Sequence, residues 1–215
     1  TESTAVHIMN EPREGKPLLV LDLDHTLLDF SSKAIQRDVT THEIGHGSAA
    51  SMKRPYMDQF LTTAYKHYDL VVWSQTSWRW LETKLTELGM LTNPGYRFCF
   101  VLDKTSMFTI TSTKRDGTSI KHHVKPLQII WSKFPRWSSQ NTVHIDDLSR
   151  NFALNLGSGL KISAYYRKKS SSRRDADLLG LGKYLEELAT SKVNFDDANF
   201  AYWADVVSGK RSLVD

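Results

Sequence analysis

Apolar residues fall in short uninterrupted runs along this chain, and stretches with helical periodicity lie between the runs. The runs are typical of strands buried on both faces, and they cover residues 18–24, 69–74, 98–103, 142–147 and 160–166. Helices are predicted at residues 54–68, 78–89, 175–189 and 196–209. Strands that alternate with helices in this way predict an α/β domain, in which a mostly parallel, Rossmann-like sheet is flanked by helices.

One segment departs from this alternation. Residues 107–125 carry β-branched side chains on both sides of Asp116-Gly117, a dipeptide that favours a tight turn between antiparallel strands. We therefore predict a small β-hairpin insert at about residues 104–125. The apolar stretch at 126–131 is compatible with a helix and with an extended segment, and the pattern leaves both open.

Several residues mark the limits of the predicted helices. Pro55 suits the first turn of the first helix, and Gly89 and Gly209 suit the positions where the second and the last helix end. An Asp is expected to cap the last helix at its start. The second helix carries an apolar face formed by Leu81, Leu85 and Leu88.

The composition is that of an ordinary globular domain. Hydrophobic residues make up 40% of the 215 residues and charged residues 24%, with a net charge of +4. We place one domain at 17–208, an N-terminal extension at 1–16 and a tail at 209–215. No run approaches the roughly 18–20 apolar residues of a membrane helix, and we expect no membrane partner. The single cysteine, Cys99, excludes an intrachain disulfide and fits the cytosol or nucleus.

Polar and charged side chains follow several of the predicted strands. Ligands bind beyond the carboxyl ends of the strands in parallel sheets, so we expect these residues to share one site. Several carboxylates with one ammonium suit a hard divalent cation such as Mg²⁺. The candidates are Asp22 and Asp24 after the first strand, Ser74 after the second, Lys125 after the hairpin, and Asp146 and Asp147 after the strand at 142–147.

These segments resemble the four motifs of the haloacid dehalogenase superfamily. The segment Asp22-Leu23-Asp24-His25-Thr26 resembles the first motif in its phosphatase form, and VVWSQTS, VKPL and HIDDLSRNF resemble the other three in order. Within the superfamily the chain is similar to phosphatases of the RNA polymerase II C-terminal-domain type. It is most similar to the group that carries a ubiquitin-like domain ahead of the phosphatase domain. No such domain is visible, and because the chain begins at Thr1 we expect an excised catalytic domain.

The resemblance implies a role for each candidate residue. Asp22 is the expected nucleophile, which forms an aspartyl-phosphate, and Asp24 is the expected general acid and then general base. Lys125 and Ser74 are expected to bind the phosphoryl group, with a smaller contribution from Thr26. The expected direct ligands of Mg²⁺ are the carboxylates of Asp22 and Asp146 and the backbone carbonyl of Asp24. Asp147 is expected to bind the ion through water or to support the residues that bind it.

Structural alternatives to these roles stay open at this point. Asp22 and Asp24 are also compatible with a solvated turn at the end of a strand. Ser74 is compatible with a cap on the helix that follows it, and Asp147 with a cap on the segment LSRNF.

The spacing of the motifs bears on the substrate. The stretches from Thr26 to Ser74 and from Ser74 to Lys125 are too short for a large cap domain, and an open site admits a phosphorylated side chain on a polypeptide. We therefore predict a Mg²⁺-dependent protein serine/threonine phosphatase. The resemblance implies a nuclear location and, as partners, the polymerase C-terminal domain or the proteasome. The alternatives are a catalytically weak protein-binding module and a small-molecule phosphatase.

A basic segment with aromatic residues lies at 161–174 and includes Tyr165 and Tyr166. It is compatible with nucleic-acid binding, with a solvated stretch before a helix, and with guidance of acidic or phosphorylated protein segments. We favour the solvated stretch and expect no nucleic-acid partner.

Overall fold

A five-stranded sheet forms the centre of the computed structural model, which describes residues 6–30, 52–113 and 115–214. Its strands are β1 (Leu18–Leu21), β2 (Asp69–Trp73), β3 (Phe98–Leu102), β6 (Thr142–Asp146) and β7 (Gly159–Lys161). They are ordered β3-β2-β1-β6-β7, and every pairing between them is parallel. A separate antiparallel hairpin pairs β4 (Phe108–Thr113) with β5 (Ser119–Val124).

Helices cover both faces of this sheet. In the described part of the chain they are α1 (Met57–His67), α2 (Trp78–Glu87), α3 (Gln128–Lys133), α4 (Asp177–Thr190) and α5 (Trp203–Val207). Leu19 and Leu21 of β1 belong to the core under α1, α2 and α4, and Leu18 and Val20 belong to the core on the side of α3. Successive strand residues point to opposite faces, so both faces bury apolar side chains. This explains why the strands are uninterrupted apolar runs. None of the described helices is both long and apolar enough to cross a bilayer.

The register of the sheet aligns the ends of its central strands. Leu18 of β1 lies opposite Asp69 of β2 and Thr142 of β6, and Leu21 lies opposite Val72 and Ile145. Because all three strands run in the same direction, the residues that follow them emerge at one edge of the sheet. This edge carries the charged residues that the sequence pattern singled out.

The predicted α/β fold and its small hairpin are confirmed. Gly117 has a φ of 83° at the tip of the hairpin, and the Asp116 carboxylate accepts a hydrogen bond of 2.9 Å from the backbone N–H of Thr118. Gly89 ends the second predicted helix with a φ of 66°. The stretch at 126–131, which the pattern left open, contributes to α3. The apolar face of α2 is buried, as shown by Leu81, Leu85 and Leu88.

The strand predicted at 160–166 is wrong in its length, because β7 ends at Lys161. Beyond Ile162 the chain leaves the sheet, and the Tyr165 N–H donates to the carbonyl oxygen of His25 at 2.7 Å. The first strand also ends early, at Leu21, because the chain then enters a tight turn. In both cases apolar residues are buried against a turn, which gives the same pattern as burial within a sheet.

The long helix predicted at 196–209 is also wrong. The segment forms two short 3-10 turns followed by α5, and the side chains of Asn194 and Asn199 accept backbone hydrogen bonds at the starts of the two turns. Gly209, with a φ of 73°, follows α5 as predicted.

Pro55 does not lie in the first turn of α1, because Tyr56 adopts a φ of 65° and the helix begins after it. Tyr56 itself is exposed.

The predicted extension and tail both contact the domain. The backbone N–H of Met9 donates to the carbonyl oxygen of Cys99 in β3 at 2.7 Å, and Ile8 forms an isolated antiparallel bridge with Phe100. At the other end, Val214 forms an isolated bridge with Ala198. Residues on both sides of the domain therefore pack onto it.

Arg54 joins the turn after β1 to the start of α4. Its side chain is fully buried, and Nη1 donates to the carbonyl oxygens of Thr26 and Ser163 at 3.1 and 3.0 Å. Nε and Nη2 donate to both carboxylate oxygens of Asp175 at 3.0 and 2.9 Å, and Nη2 also donates to Asp177 at 2.9 Å. One guanidinium thus ties the edge of the sheet that carries the charged residues to a helix more than 100 residues further along the chain.

We predict that Arg54→Met lowers the free energy of unfolding by about 3 kcal/mol, because two carboxylates and two carbonyl oxygens lose a buried donor. Arg97→Met is the matched control, since Arg97 is exposed and its loss is expected to change stability by less than about 0.5 kcal/mol. Urea unfolding of both variants measures the difference. Equal stability of the two variants would contradict this account of Arg54.

Candidate active site

A buried ammonium group lies between two carboxylates at the carboxyl edge of the sheet. Lys125 Nζ is 2.6 Å from Asp22 Oδ1 and 2.6 Å from Asp146 Oδ2. The hydroxyl of Thr26 donates to the other oxygen of Asp22 at 3.0 Å. All four residues are buried. The structure therefore brings together residues from the ends of β1, β5 and β6, of which Asp22 and Lys125 are 103 positions apart in sequence.

A tight turn after β1 presents Asp22 to this cluster. The N–H groups of Thr26, Leu27 and Leu28 all donate to the carbonyl oxygen of Leu23, and His25 has a φ of 64°. The Thr26 hydroxyl also accepts a hydrogen bond of 3.2 Å from the backbone N–H of Asp147. The turn is thereby fastened to the end of β6, and the alternative of a solvated turn at Asp22 is wrong.

Asp146 is held by hydrogen bonds at both carboxylate oxygens. Besides Lys125, Oδ2 accepts from Asn151 Nδ2 at 2.7 Å, and Oδ1 accepts from the backbone N–H of Leu148 at 2.9 Å. Asn151 was not among the predicted residues, although it stands inside the segment HIDDLSRNF that carried the fourth motif. The short 3-10 turn at Ser149–Phe152 begins after Leu148 and has no side-chain cap, so the alternative that Asp147 caps it is wrong.

The charges in the cluster shift one another's protonation. Burial raises the pKa of Asp22 to about 7, and the neighbouring Asp146 carboxylate adds to that shift while Lys125 opposes it. Burial alone would raise the pKa of Asp146, but Lys125 and His144 hold it below its ordinary value. Burial would likewise lower the pKa of Lys125, and the two carboxylates more than offset this effect. The ammonium is therefore charged, and it lies at the same distance from both carboxylates.

The acidic groups of the site are able to hold a cation. Asp22, Asp146 and Asp147 each offer a carboxylate oxygen, and these atoms lie within 4.8 Å of one another. Three ionised carboxylates and the Lys125 ammonium sum to a charge of −2, which a divalent cation would neutralise. Both oxygens of Asp146 already accept hydrogen bonds, whereas among the described residues the Asp147 carboxylate accepts none from another residue. Burial and Asp146 raise the pKa of Asp147.

Asp24 lies outside the Lys125 cluster and has a different partner. Both of its carboxylate oxygens accept hydrogen bonds from Lys84 Nζ of α2, at 2.8 and 3.0 Å. Lys84 was not predicted, although the sequence carries a signal for it. It interrupts the apolar face of α2 at a position between Leu81 and Leu85, where an apolar residue is expected.

Ser74 is buried at the end of β2, but its hydroxyl is engaged locally. Ser74 Oγ lies 3.0 Å from the hydroxyl of Thr76 and accepts from the Thr76 N–H at 3.3 Å. Within the described residues it makes no hydrogen bond with the carboxylate cluster. It does not cap α2 either, because the first helical N–H, that of Trp78, donates to Asp103 at 2.8 Å. The predicted role of Ser74 in binding phosphate stays a prediction.

The basic segment at 161–174 is largely exposed and precedes α4, as the favoured interpretation expected, and one part of it contacts the turn after β1. The ring of Tyr166 contacts that of His25, with centroids 4.5 Å apart, and the Arg167 N–H donates to Asp29 at 3.0 Å. Lys169 Nζ lies 4.4 Å from the centre of the Tyr166 ring. The turn that follows Asp22 therefore also anchors this basic segment, which is called the basic loop below.

Comparison with known proteins identifies the family. A model described as NLI interacting factor-like phosphatase matches residues 17–198. The chain belongs to the NLI interacting factor-like phosphatase family. It is 42% identical over 207 residues to the ubiquitin-like domain-containing CTD phosphatase 1 of Bos taurus and to that of Homo sapiens. Each match covers 96% of this chain and 60% of the relative, so the chain spans about three fifths of the length of these family members. The predicted family is thus confirmed.

A solved structure has a similar fold. This structure is described as that of Fcp1, an essential RNA polymerase II CTD phosphatase. The match covers 93% of the present chain and 68% of the Fcp1 chain, with a TM-score of 0.57. Its sequence identity of 14% makes this a likeness of fold. The fold expected of the family is the fold observed here.

We predict that Lys125→Met lowers the free energy of unfolding by about 3–5 kcal/mol near pH 8, because two buried carboxylates lose their cation. In the wild type, the lowered pKa of Asp146 contributes stability that is present above its unfolded pKa of about 3.9 and is lost as the pH falls through the folded value. In the variant, the unpaired carboxylates favour protonation, and the difference from wild type should shrink towards pH 5.

Urea unfolding of wild type and variant at both pH values measures this difference. Lys121→Met is the matched control, because Lys121 is exposed on β5, four residues from Lys125. A loss of stability in Lys125→Met that does not vary with pH would rule out the electrostatic explanation.

Proposed function

We propose that this domain is a Mg²⁺-dependent protein serine/threonine phosphatase that works through an aspartyl-phosphate on Asp22. The observation that carries the proposal is the Asp22 carboxylate, which is oriented by Lys125 at one oxygen and by Thr26 at the other. A carboxylate is a weak nucleophile, so its reaction depends on positioning and on neutralisation of phosphoryl charge. The buried ammonium of Lys125 both positions the Asp22 carboxylate and supplies a positive charge beside it.

The first step transfers the phosphoryl group to the enzyme. An oxygen of Asp22 attacks phosphorus, and the bond between phosphorus and the substrate's serine or threonine oxygen breaks. Asp24 gives its proton to the departing oxygen and becomes a carboxylate. Lys125 offsets negative charge beside the reacting oxygen throughout this step.

The second step returns the enzyme to its starting state. The Asp24 carboxylate takes a proton from water, the water oxygen attacks phosphorus, and the bond between phosphorus and Asp22 breaks. Inorganic phosphate leaves, and Asp22 is again held by Lys125 and Thr26. Each proton that Asp24 gives in the first step is regained in the second.

Asp22, Asp146 and Asp147 would hold Mg²⁺ through their carboxylate oxygens, which lie within 4.8 Å of one another. The backbone carbonyl of Asp24 stays a predicted ligand. When bound, the ion would neutralise phosphoryl charge that Lys125 does not reach.

The substrate class is inferred from the family and from the short stretch between Ser74 and Lys125. There the described residues form α2, β3, a 3-10 turn and the hairpin, and they include no cap domain; residues 31–51, in the other gap, lie outside the described residues. The names of the relatives support the phosphorylated C-terminal domain of RNA polymerase II as substrate, and with it a nuclear location. The proteasome is a second proposed partner, which rests only on the sequence resemblance.

Phosphate release from a phosphoserine peptide tests the proposal. We expect turnover with Mg²⁺, none with EDTA, and a loss of more than about 1,000-fold in Asp22→Asn. Asp197→Asn makes the same change at an exposed carboxylate and should leave turnover unchanged. Acid quenching of wild type with ³²P-labelled substrate should trap a label that hydroxylamine releases. If folded wild type turns over neither phosphopeptides nor p-nitrophenyl phosphate, the protein-binding alternative replaces this proposal.

The basic loop predicts a preference for acidic surroundings of the phosphorylated residue. Arg173 and Arg174 are exposed, and each reversed charge turns attraction into repulsion. We expect the double variant Arg173→Glu/Arg174→Glu to raise KM about tenfold for a phosphopeptide flanked by acidic residues, and 0.5 M salt should remove the difference. Lys183→Glu/Lys192→Glu reverses two exposed charges elsewhere and is the control. An equal change in KM for p-nitrophenyl phosphate would contradict a role of this loop in peptide binding.

A further inference from the structure

The proposed chemistry does not account for the buried partner of Asp24. Lys84 Nζ donates to both oxygens of the Asp24 carboxylate, and the two side chains differ sharply in exposure. The Lys84 side chain is 5% exposed, whereas that of Asp24 is 30% exposed. A buried ammonium therefore anchors a carboxylate that still reaches the solvent side of the site.

Packing alone does not explain a lysine at this position. Lys84 lies on the apolar face of α2 with Leu81 and Leu85, and its Nζ is 4.9 Å from the centre of the Phe30 ring. Taking an ammonium out of water has a large cost, and a hydrophobic residue of similar volume in place of a buried ion pair is often neutral or stabilising. A methionine would continue the apolar face of the helix without that cost.

A need to orient the Asp24 carboxyl group explains why a lysine stands at position 84. Asp24 follows Asp22 by two residues in the turn but makes no contact with the Lys125 cluster, so nothing in that cluster fixes its side-chain rotamer. Two hydrogen bonds from one ammonium fix both the direction and the plane of the carboxyl group. A group that transfers protons to and from substrate loses much of its effect when it is displaced by about 1 Å.

We infer that Lys84 is a positioning residue, which holds the Asp24 carboxyl group in place for proton transfer to the leaving oxygen of the substrate. This inference rests on the proposed function and deepens it, because it extends the catalytic machinery from the strand ends to the face of α2. Lys84 acts only through Asp24 and touches neither the phosphoryl group nor Asp22.

The test compares two substrates that differ in their need for a proton. The serine oxygen of a phosphoserine peptide is a poor leaving group and requires protonation, whereas the nitrophenolate of p-nitrophenyl phosphate leaves without it. The measured quantity is kcat/KM, which reports the steps up to formation of the aspartyl-phosphate and is unaffected by its later hydrolysis. The variants are Lys84→Met, Lys84→Arg and Asp24→Asn, with Arg79→Met as a control for loss of one exposed positive charge from α2.

Lys84→Met should lower kcat/KM for the phosphoserine peptide about 100-fold and for p-nitrophenyl phosphate less than about threefold, because general acid catalysis is worth about 10²–10⁴ only where a proton is needed. Lys84→Arg, which keeps two donors for one carboxylate, should restore most of the activity on the peptide. Arg79→Met should resemble wild type on both substrates. In the Asp24→Asn background, Lys84→Met should produce no further loss, since residues that act as a unit are not additive.

Equal losses on the two substrates would overturn the inference, as would a full further loss in the Asp24→Asn background or undiminished activity of folded Lys84→Met. If Lys84→Met does not unfold cooperatively, Lys84→Leu replaces it under the same criteria, because leucine also lacks a donor and continues the apolar face of α2. A wild type that turns over neither substrate would instead reject the proposed function, so the two failures are distinguishable.

Discussion

Lys125 brings its ammonium group within 2.6 Å of two carboxylates that are otherwise removed from water, and much of the surrounding structure serves this contact. Without the ammonium, Asp22 and Asp146 would repel each other in a medium that screens charge poorly. Without the carboxylates, the ammonium would itself be an uncompensated buried charge. The Thr26 hydroxyl on Asp22 and the Leu148 N–H on Asp146 bind the carboxylate oxygens that do not face Lys125, and so they help to orient both groups. The contacts that balance the charges of this site therefore also help to orient its carboxylates.

The parallel sheet makes such a contact possible. Strands β1, β2 and β6 run side by side in register, so side chains from distant parts of the chain meet at one edge. Lys125 arrives from the end of the hairpin, whose second strand ends at Val124. Arg54 fastens the turn after β1 to α4. The end of the hairpin is thus held at this edge by Lys125, and the turn after β1 is held there by Arg54.

The sequence was most informative where one physical cause produces one pattern. Apolar runs predicted the central strands because both sheet faces are covered, and charged residues at their ends predicted the site because charge is rarely buried there without a partner. Prediction failed where two causes produce the same pattern. Ile162 and Tyr165 are buried beside the turn at His25 and not in the sheet, and Asn199 interrupts a segment that otherwise has helical periodicity. Lys84 and Asn151 were missed because their partners are specified by tertiary packing, which local spacing does not encode.

The short pairing of residues 8–10 with β3 has a consequence for how this sheet meets other molecules. An exposed edge strand offers unpaired N–H and C=O groups on which a second chain can add a strand. Here Met9 and Asn10 occupy the backbone carbonyl of Cys99, and the Asn10 side chain donates to the carbonyl of Phe98 at 2.8 Å. The opposite edge, β7, is only three residues long. Within the described residues, the two edges of the central sheet therefore offer little backbone on which another chain could add a strand.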